Sequence, residues 1–308
     1  MRHKLLILVL LMAAAFVSLP EAMEEIHNAR VVADRWATLG IWNGFMTAYA
    51  HEDEPEACSF KSANRASIAS AEEFRWHGQI AQGGAIEIKG INGNVSAEAA
   101  TSNEVEVVAD KNGRRSDPRD VQIKVLEHPN GVTICALYPS NDPDNPNTCE
   151  PGKGGHSNTR NNDVSVNFTV KVPQGVRFIG STVNGEVEAE SIPSDVEAYT
   201  VNGGINISAD GYAQARTVNG SIKAAMKRAN WTRPLAFETV NGDITLDLPQ
   251  DLSTEFRAET FNGSISTDFP VAVQGANSRR HMSGTIGTGG RELRLKTLNG
   301  SIRLRRVS

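Results

Sequence analysis

The sequence is short of most features that announce an enzyme or a membrane protein. Only one apolar run is long, and it sits at the very start: residues 5–19, LLILVLLMAAAFVSL. Fifteen residues suit the hydrophobic region of a signal peptide and are short for a membrane span. Charge of one sign is also scarce. The formal net charge of −5 excludes a global field that would recruit nucleic acid. The basic stretch 291–306 has strand-like spacing and reads as a solvated face or terminal cap. Cysteine is limited to Cys58, Cys135 and Cys149, too few for a disulfide-built scaffold. None of the seven histidines has a helical i, i+4 partner or a metal-ligand spacing. The segment Gly152-Lys153-Gly154-Gly155 lacks the spacing and the following helix of a phosphate loop and reads as a flexible loop. Asp142, Asp144 and Asn145 follow no calcium-loop pattern and read as a turn. The carboxylates Glu186, Glu188 and Asp243 read as a solvated face. No cofactor, metal site or catalytic group is expected.

What is present begins with export. Arg2 and Lys4 precede the apolar run, and residues 1–22 read as a signal peptide. Ala22 fits the last position before cleavage, but Pro20 is unfavourable two residues earlier. An uncleaved anchor therefore stays open, and contact with a membrane is expected only through this N-terminal segment if it is uncleaved. Residues 23–73 read as a leader or linker, with apolar spacing over 29–50 that suggests a short amphipathic helix or a second, weakly apolar membrane-associated piece. Export implies an oxidising compartment (periplasm, cell surface or medium) in which disulfides persist. Cys135 and Cys149 bracket ALYPSNDPDNPNT, too rich in Pro, Asn and Asp to form regular strands. A disulfide is expected across it, worth about 3 kcal/mol on the loop-closure model. Trp231, between two repeats, is expected to pack over the edge of the stack.

From residue 74 to 308 the pattern is all-β. Short β-branched or alternating runs occupy 85–89, 95–97, 105–109, 121–126, 132–137 and 164–172. Asn112-Gly113 and Asn130-Gly131 read as turns between them. The decisive feature is a repeat: GINGNVSA, TVNGEVEA, TVNGGINI, TVNGSIKA, TVNGDITL, TFNGSIST and TLNGSIRL. Its Asn-Gly pairs are Asn92-Gly93, Asn184-Gly185, Asn202-Gly203, Asn219-Gly220, Asn241-Gly242, Asn262-Gly263 and Asn299-Gly300. The last six asparagines are spaced by 18, 17, 22, 21 and 37 residues, the signature of a solenoid. The final long gap has room for another unit, and the segment starting at Ser283, SGTIGTGG, reads as a degenerate copy.

Each copy has an apolar residue before Asn, a Val or Ile three residues after it, and a polar residue four after it. A two-residue hairpin at Asn-Gly would put Val183 and Glu186, or Phe261 and Ser264, on one face, burying polar atoms without partners. A strand running through Gly is expected instead, with positions −1, +3 and +5 facing the core. The parity then breaks between −4 and −1, which places a corner at the Thr. Gly is expected to supply positive φ or a close approach there. Stacking is expected to align Asn on Asn and Thr on Thr. One unit buries too few side chains to offset the ordering of some twenty residues, so stacking is obligatory.

The TVNG-x-[IV] repeats, EIKGINGNV, GVTICALYP with a second Cys downstream, and FTVKVPQGVRF together resemble the bacterial putative-adhesin domain family of β-strand repeats. That resemblance implies a β-helix-like solenoid, export and no catalytic residues. The expected function is a non-catalytic structural or adhesive module at the cell surface or in the periplasm, binding a surface protein or glycan. Two other readings stay open. One is an envelope-stress or assembly partner that uses an exposed sheet edge for strand addition. The other is a polysaccharide-processing β-helix enzyme, which would need clustered carboxylates on one wall.

Overall fold

The computed structural model describes residues 70–229, 231–273 and 278–307. The signal segment 1–22, the helix or membrane-associated piece expected near 29–50, Cys58 and most of the leader 23–73 lie outside the described residues. Strands dominate, in chain order Ser70–Gly78 (β1), Ala85–Lys89 (β2), Val95–Ala99 (β3), Val105–Gly113 (β4), Gln122–His128 (β5), Gly131–Leu137 (β6) and Ser165–Val172 (β7). The repeats follow as Arg177–Ser181 (β8), Val187–Ile192 (β9), Val196–Tyr199 (β10), Ile205–Ala209 (β11), Ala213–Arg216 (β12), Ile222–Met226 (β13), Leu235–Glu238 (β14) and Ile244–Pro249 (β15). The C-terminal part holds Thr254–Asn262 (β16), Ile265–Thr267 (β17), Val271–Val273 (β18), His281–Ile286 (β19), Glu292–Asn299 (β20) and Ile302–Val307 (β21).

These strands form two sheets. The first runs β1-β4-β7-β3-β9-β11-β13-β15-β21-β17, the second β18-β19-β16-β20-β14-β12-β10-β8-β2-β6-β5. Each repeat contributes one strand to the second sheet, turns at Thr-x-Asn-Gly, and contributes one strand to the first. The coils stack in parallel register. Val187 pairs with Ile205, Ile205 with Ile222, Ile222 with Ile244, Ile244 with Ile302, and Ile302 with Ile265. All of these side chains are buried in one core, facing Phe178, Val196, Leu235, Leu293 and Phe256 from the other sheet. The expected shared interior of Val and Ile is therefore present. Trp231 is buried against this core, too.

Chain order and stack order differ at both ends. The β2–β3 coil lies between the β6–β7 and β8–β9 coils. The β20–β21 coil lies between the β14–β15 and β16–β17 coils. Antiparallel strands flank the stack: β5 on β6, β4 on β7 with β1 beyond it, and β19 on β16 with β18 beyond it.

Two local expectations are corrected here. Ser283 to Ile286 is part of the antiparallel strand β19, not a degenerate coil. Asn112-Gly113 ends β4 within the ladder, paired to Ser70, Ala71 and Ser165, and is not a turn. Asn130-Gly131 does reverse the chain, between β5 and β6, where His128 pairs with Gly131.

Candidate functional site

The seven Asn-Gly pairs come together along one edge of the stack. Along the second-sheet strand, residues at −6, −4 and −2 from each Asn point inward, as Phe178, Gly180 and Thr182 do. The buried residues of the corner are therefore the threonines Thr182, Thr200, Thr217, Thr239, Thr260 and Thr297. Inward parity resumes at +3, so the corner lies at x-Asn-Gly and not at the Thr.

The −1 residues are displaced outward as a result, contrary to the sequence expectation. Val183 alone is buried; Ile91, Val201, Val218 and Val240 are half-buried. Leu298 and Phe261 are 42% and 46% exposed. The reason is steric: the chain must pass from one sheet to the other over these three residues, and the inward slot is already filled by Thr.

Thr does not stack hydroxyl on hydroxyl either. Each hydroxyl donates to the carbonyl of the repeat glycine in the neighbouring coil: Thr182 to Gly93 at 2.9 Å, Thr200 to Gly185 at 2.9 Å, and Thr217 to Gly203 at 3.0 Å. Thr239 to Gly220, Thr297 to Gly242 and Thr260 to Gly300 continue the series at 2.9, 2.9 and 2.7 Å. A buried carbonyl at a corner has no ladder partner, and a small residue carrying both a hydroxyl and a methyl satisfies it while filling the core.

Glycine is needed for a similar reason. A Cβ on Gly203 would run into the Gly185 carbonyl, one on Gly220 into that of Gly203, and one on Gly242 into that of Gly220. The coils approach so closely at the corner that only hydrogen fits.

The asparagines form a continuous amide ladder. Asn184 donates Nδ2 to Asn92 Oδ1 at 2.8 Å, Asn202 to Asn184 at 2.9 Å, Asn219 to Asn202 at 2.8 Å and Asn241 to Asn219 at 2.7 Å. Stack order, not chain order, then governs: Asn299 donates to Asn241 at 2.7 Å and Asn262 to Asn299 at 2.8 Å. The edge is thus a ridge of seven equivalent corners carrying amides and apolar side chains at the strand spacing of about 4.8 Å.

Beside Asn92 the ridge ends at a different construction. The β6–β7 coil has no Asn-Gly corner; residues 138–164 arch between its strands. Cys135 and Cys149 form a disulfide at the base of this arch, with Cα atoms 6.0 Å apart. Tyr138 donates its hydroxyl to Val164 O at 2.8 Å and to Asn92 O at 3.3 Å, and burial raises its pKa. Segment 150–154 lies over the outer face of β2. Lys89 Nζ donates to the carbonyls of Glu150, Gly152 and Gly154 at 2.6, 2.5 and 3.0 Å. Glu87 accepts from Gly152 N at 2.9 Å and from Thr133 Oγ1 at 2.8 Å. Burial lowers the pKa of Lys89, opposed by Glu87. The Gly152–Gly155 segment, expected to be a flexible loop, is tied down by this ammonium. Asp142 accepts from Asp144 N at 3.1 Å, the geometry of a turn. The Lys89 clamp could not be read from sequence, because nothing local links Lys89 to a segment some sixty residues on.

Elsewhere the polar groups are mostly engaged with one another. Glu197 accepts from Tyr199 and Tyr212 at 2.8 and 2.9 Å and from Arg233 at 2.6 Å; the Arg233 guanidinium sits 4.2 Å over the Tyr212 ring. Burial, then the Glu197 charge, raises the Tyr199 pKa. A cleft of about 580 Å³ at the arch end of the stack, by the starts of β2, β6 and β8, is lined by Trp76, His77, Glu127, His128 and Arg177 among others. His128 there lies 3.1 Å from Thr133 Oγ1. Glu186, Glu188 and Asp243 are not brought into such a cleft; Glu186 and Asp243 are exposed beside the ridge and Glu188 is half-buried on the outer face of β9. Among the described residues no three His, Cys, Asp or Glu side chains gather into a metal-binding group.

Comparison with known proteins places this architecture. No curated protein matches the chain. Solved structures that align with it include a putative cell adhesion protein from Clostridium sporogenes, 10% identical over 77% of this chain and 100% of that one, with a TM-score of 0.40. A putative adhesin from Bacteroides fragilis aligns at 11% identity over 77% and 97% of the two chains, with a TM-score of 0.31. One from Parabacteroides merdae does so at 10% identity over 77% and 97%, with a TM-score of 0.27. The profile of the Toastrack DUF4097 family matches residues 77–305, a span that holds every repeat corner, the arch and its disulfide. On that match the chain belongs to the Toastrack DUF4097 family.

Proposed function

We propose that this is a non-catalytic, exported binding module that attaches along the Asn-Gly ridge to a surface glycan or protein. One observation carries the reading: seven corners with the same chemistry are held in register on a rigid edge. Each offers an amide face, and all but the Val183 corner add a partly exposed apolar side chain, culminating in Leu298 and Phe261. Many weak, identical contacts at a fixed spacing add up when the ligand is itself extended or repetitive. An exposed apolar stripe with a polar flank is what a contact surface requires. Export to the periplasm or cell surface accords with the disulfide.

The test is capture of envelope polysaccharide and protein fractions by the purified chain, with Val201→Lys, Val218→Lys and Leu298→Lys as ridge variants. Glu188→Lys and Lys223→Glu, on the outer face of the first sheet, serve as controls. Binding lost in the ridge variants and kept in the controls supports the reading; equal binding by all five variants overturns it. A second reading, an assembly partner that adds a strand, is favoured by β17, which ends the first sheet with no further strand beside it among the described residues. Binding lost on Thr267→Pro, whose backbone N–H faces away from β21, but retained in the ridge variants would establish that reading instead.

A further inference from the structure

Asn-Gly is the dipeptide most prone to lose its side-chain amide, because glycine lets its backbone nitrogen reach the asparagine Cγ. At six corners the stack blocks this. The amide nitrogens of Gly93, Gly185, Gly203, Gly220, Gly242 and Gly300 each donate to the Asn carbonyl of the next coil, at 2.8–3.0 Å. The side-chain oxygens of the six asparagines before them each accept from the next amide in the ladder. The attacking nitrogen is held by a bond that the reaction would have to break, and each side-chain amide is fixed in the ladder and cannot turn toward it without leaving its register.

The corner at Asn262-Gly263 is built differently, because its coil is the last one. No further Asn-Gly lies beyond it. The chain at 279–280 passes over it, accepting from Thr260 N at Arg280 O and from Ile265 N at Arg279 O, both at 2.9 Å. This crossing bonds on either side of Gly263 and skips it. Among the described residues, Gly263 N has no acceptor and Asn262 Oδ1 has no donor. Asn262 keeps two bonds, Nδ2 to Asn299 Oδ1 at 2.8 Å and its own carbonyl from Gly300 N at 2.9 Å. Both Asn262 and Gly263 are exposed.

We infer that Asn262-Gly263 is a modification site of the folded protein, deamidating spontaneously while the other six corners are protected. Gly263 N gives its proton to solvent base and adds to Asn262 Cγ. A C–N bond forms, the Cγ–Nδ2 bond breaks, and ammonia leaves with a proton from water. Water then opens the succinimide at either carbonyl to give aspartate or isoaspartate. No oxidant or cofactor is needed. The product removes the donor from Asn299 Oδ1 and puts a carboxylate at the end of the ridge, beside Phe261 and the Arg280 guanidinium that bonds the Phe261 carbonyl. The inference stands on the hydrogen bonding alone and does not depend on the proposed binding role.

Ageing the folded full chain in mildly alkaline buffer, followed by peptide mapping with isoaspartate-specific methylation, tests it. Asn262 is expected to convert about tenfold faster than Asn184, Asn219 or Asn241, the factor that one ordinary net hydrogen bond to the reacting atoms supplies. In denaturant the rates should converge. Comparable rates in the folded protein would overturn the inference, as would a lead for Asn262 that persists in denaturant. The variant Asn262→Gln should remove the signal from that peptide; a signal that stays there assigns the modification elsewhere and overturns the site.

Discussion

The regular corners and the arch solve one problem in two ways. Wherever the chain crosses from one sheet to the other, backbone carbonyls lose their ladder partners and need new ones. In the repeats the solution is periodic. A buried Thr hydroxyl meets a Gly carbonyl, an Asn amide meets the next amide, and glycine lets the coils close up. In the β6–β7 coil the same crossing takes residues 138–164, and a disulfide, a buried Tyr and a half-buried Lys hold it. Periodic corners draw stability from both neighbours, whereas the arch draws it from long-range cross-links. Substitutions should therefore act by position in the stack along the ridge, and by loss of a single tie in the arch.

The largest expected effect separates interior from terminal corners. Gly220→Ala forces a Cβ into the Gly203 carbonyl with coils packed on both sides, and should cost about 3 kcal/mol or more in chemical denaturation. Gly263→Ala meets the Gly300 carbonyl in the same way. Its coil is the last in the stack and can move outward, so the loss should be less than half as large. Equal losses would break the comparison. Next comes the arch. Cys135→Ser with Cys149→Ser should lower stability by about 3 kcal/mol, the loop-closure value for a separation of 14 residues, and reduction of the native chain should reproduce it. Thr217→Val keeps the shape and removes the hydroxyl bonded to Gly203 O; a loss of about 1 kcal/mol is expected.

The smallest effect is a pH dependence at the foot of the arch. The backbone N–H of Ser116, then that residue's hydroxyl and Arg115, hold the Asp163 carboxyl at about 2. Its folded pKa lies below the unfolded value near ~3.9, so this contribution is complete above that value and is lost as the pH falls toward 2. Asp163→Asn should flatten the acid limb of the stability profile in that window, by lowering stability slightly at neutral pH and leaving it nearly unchanged near pH 2.

Much of this fold is legible in the sequence because the repeat shows the same choice many times. Val or Ile at +3 and a polar residue at +4 fix the inward and outward faces of the first sheet. The Asn register follows from identical copies in stacked coils. The sequence misleads where one apolar residue is taken as a core residue: Val at −1 reads as interior, yet Thr at −2 holds the inward slot because it brings a hydroxyl to a carbonyl. Phe261 and Leu298 at −1 are the hint, since two such large residues in a corner column have little room inside. Stack order was not legible. TLNGSIRL and TFNGSIST carry the same local pattern, and nothing within either copy says that the later one inserts before the earlier. The degenerate copy expected at Ser283 fails for the same reason, since alternation alone does not distinguish a parallel coil from an antiparallel cover strand.

That inverted order gives the most direct test of the stacked ridge. Thr245 and Arg303 are neighbours across one strand step, as are Arg303 and Ser266, whereas Thr245 and Ser266 lie two steps apart. Introduced cysteine pairs joined by a short thiol cross-linker should couple rapidly as Thr245→Cys with Arg303→Cys. Coupling should be slow as Thr245→Cys with Ser266→Cys. The reverse preference would mean that the coils stack in chain order, and the continuous ladder through Asn241, Asn299 and Asn262 would be wrong.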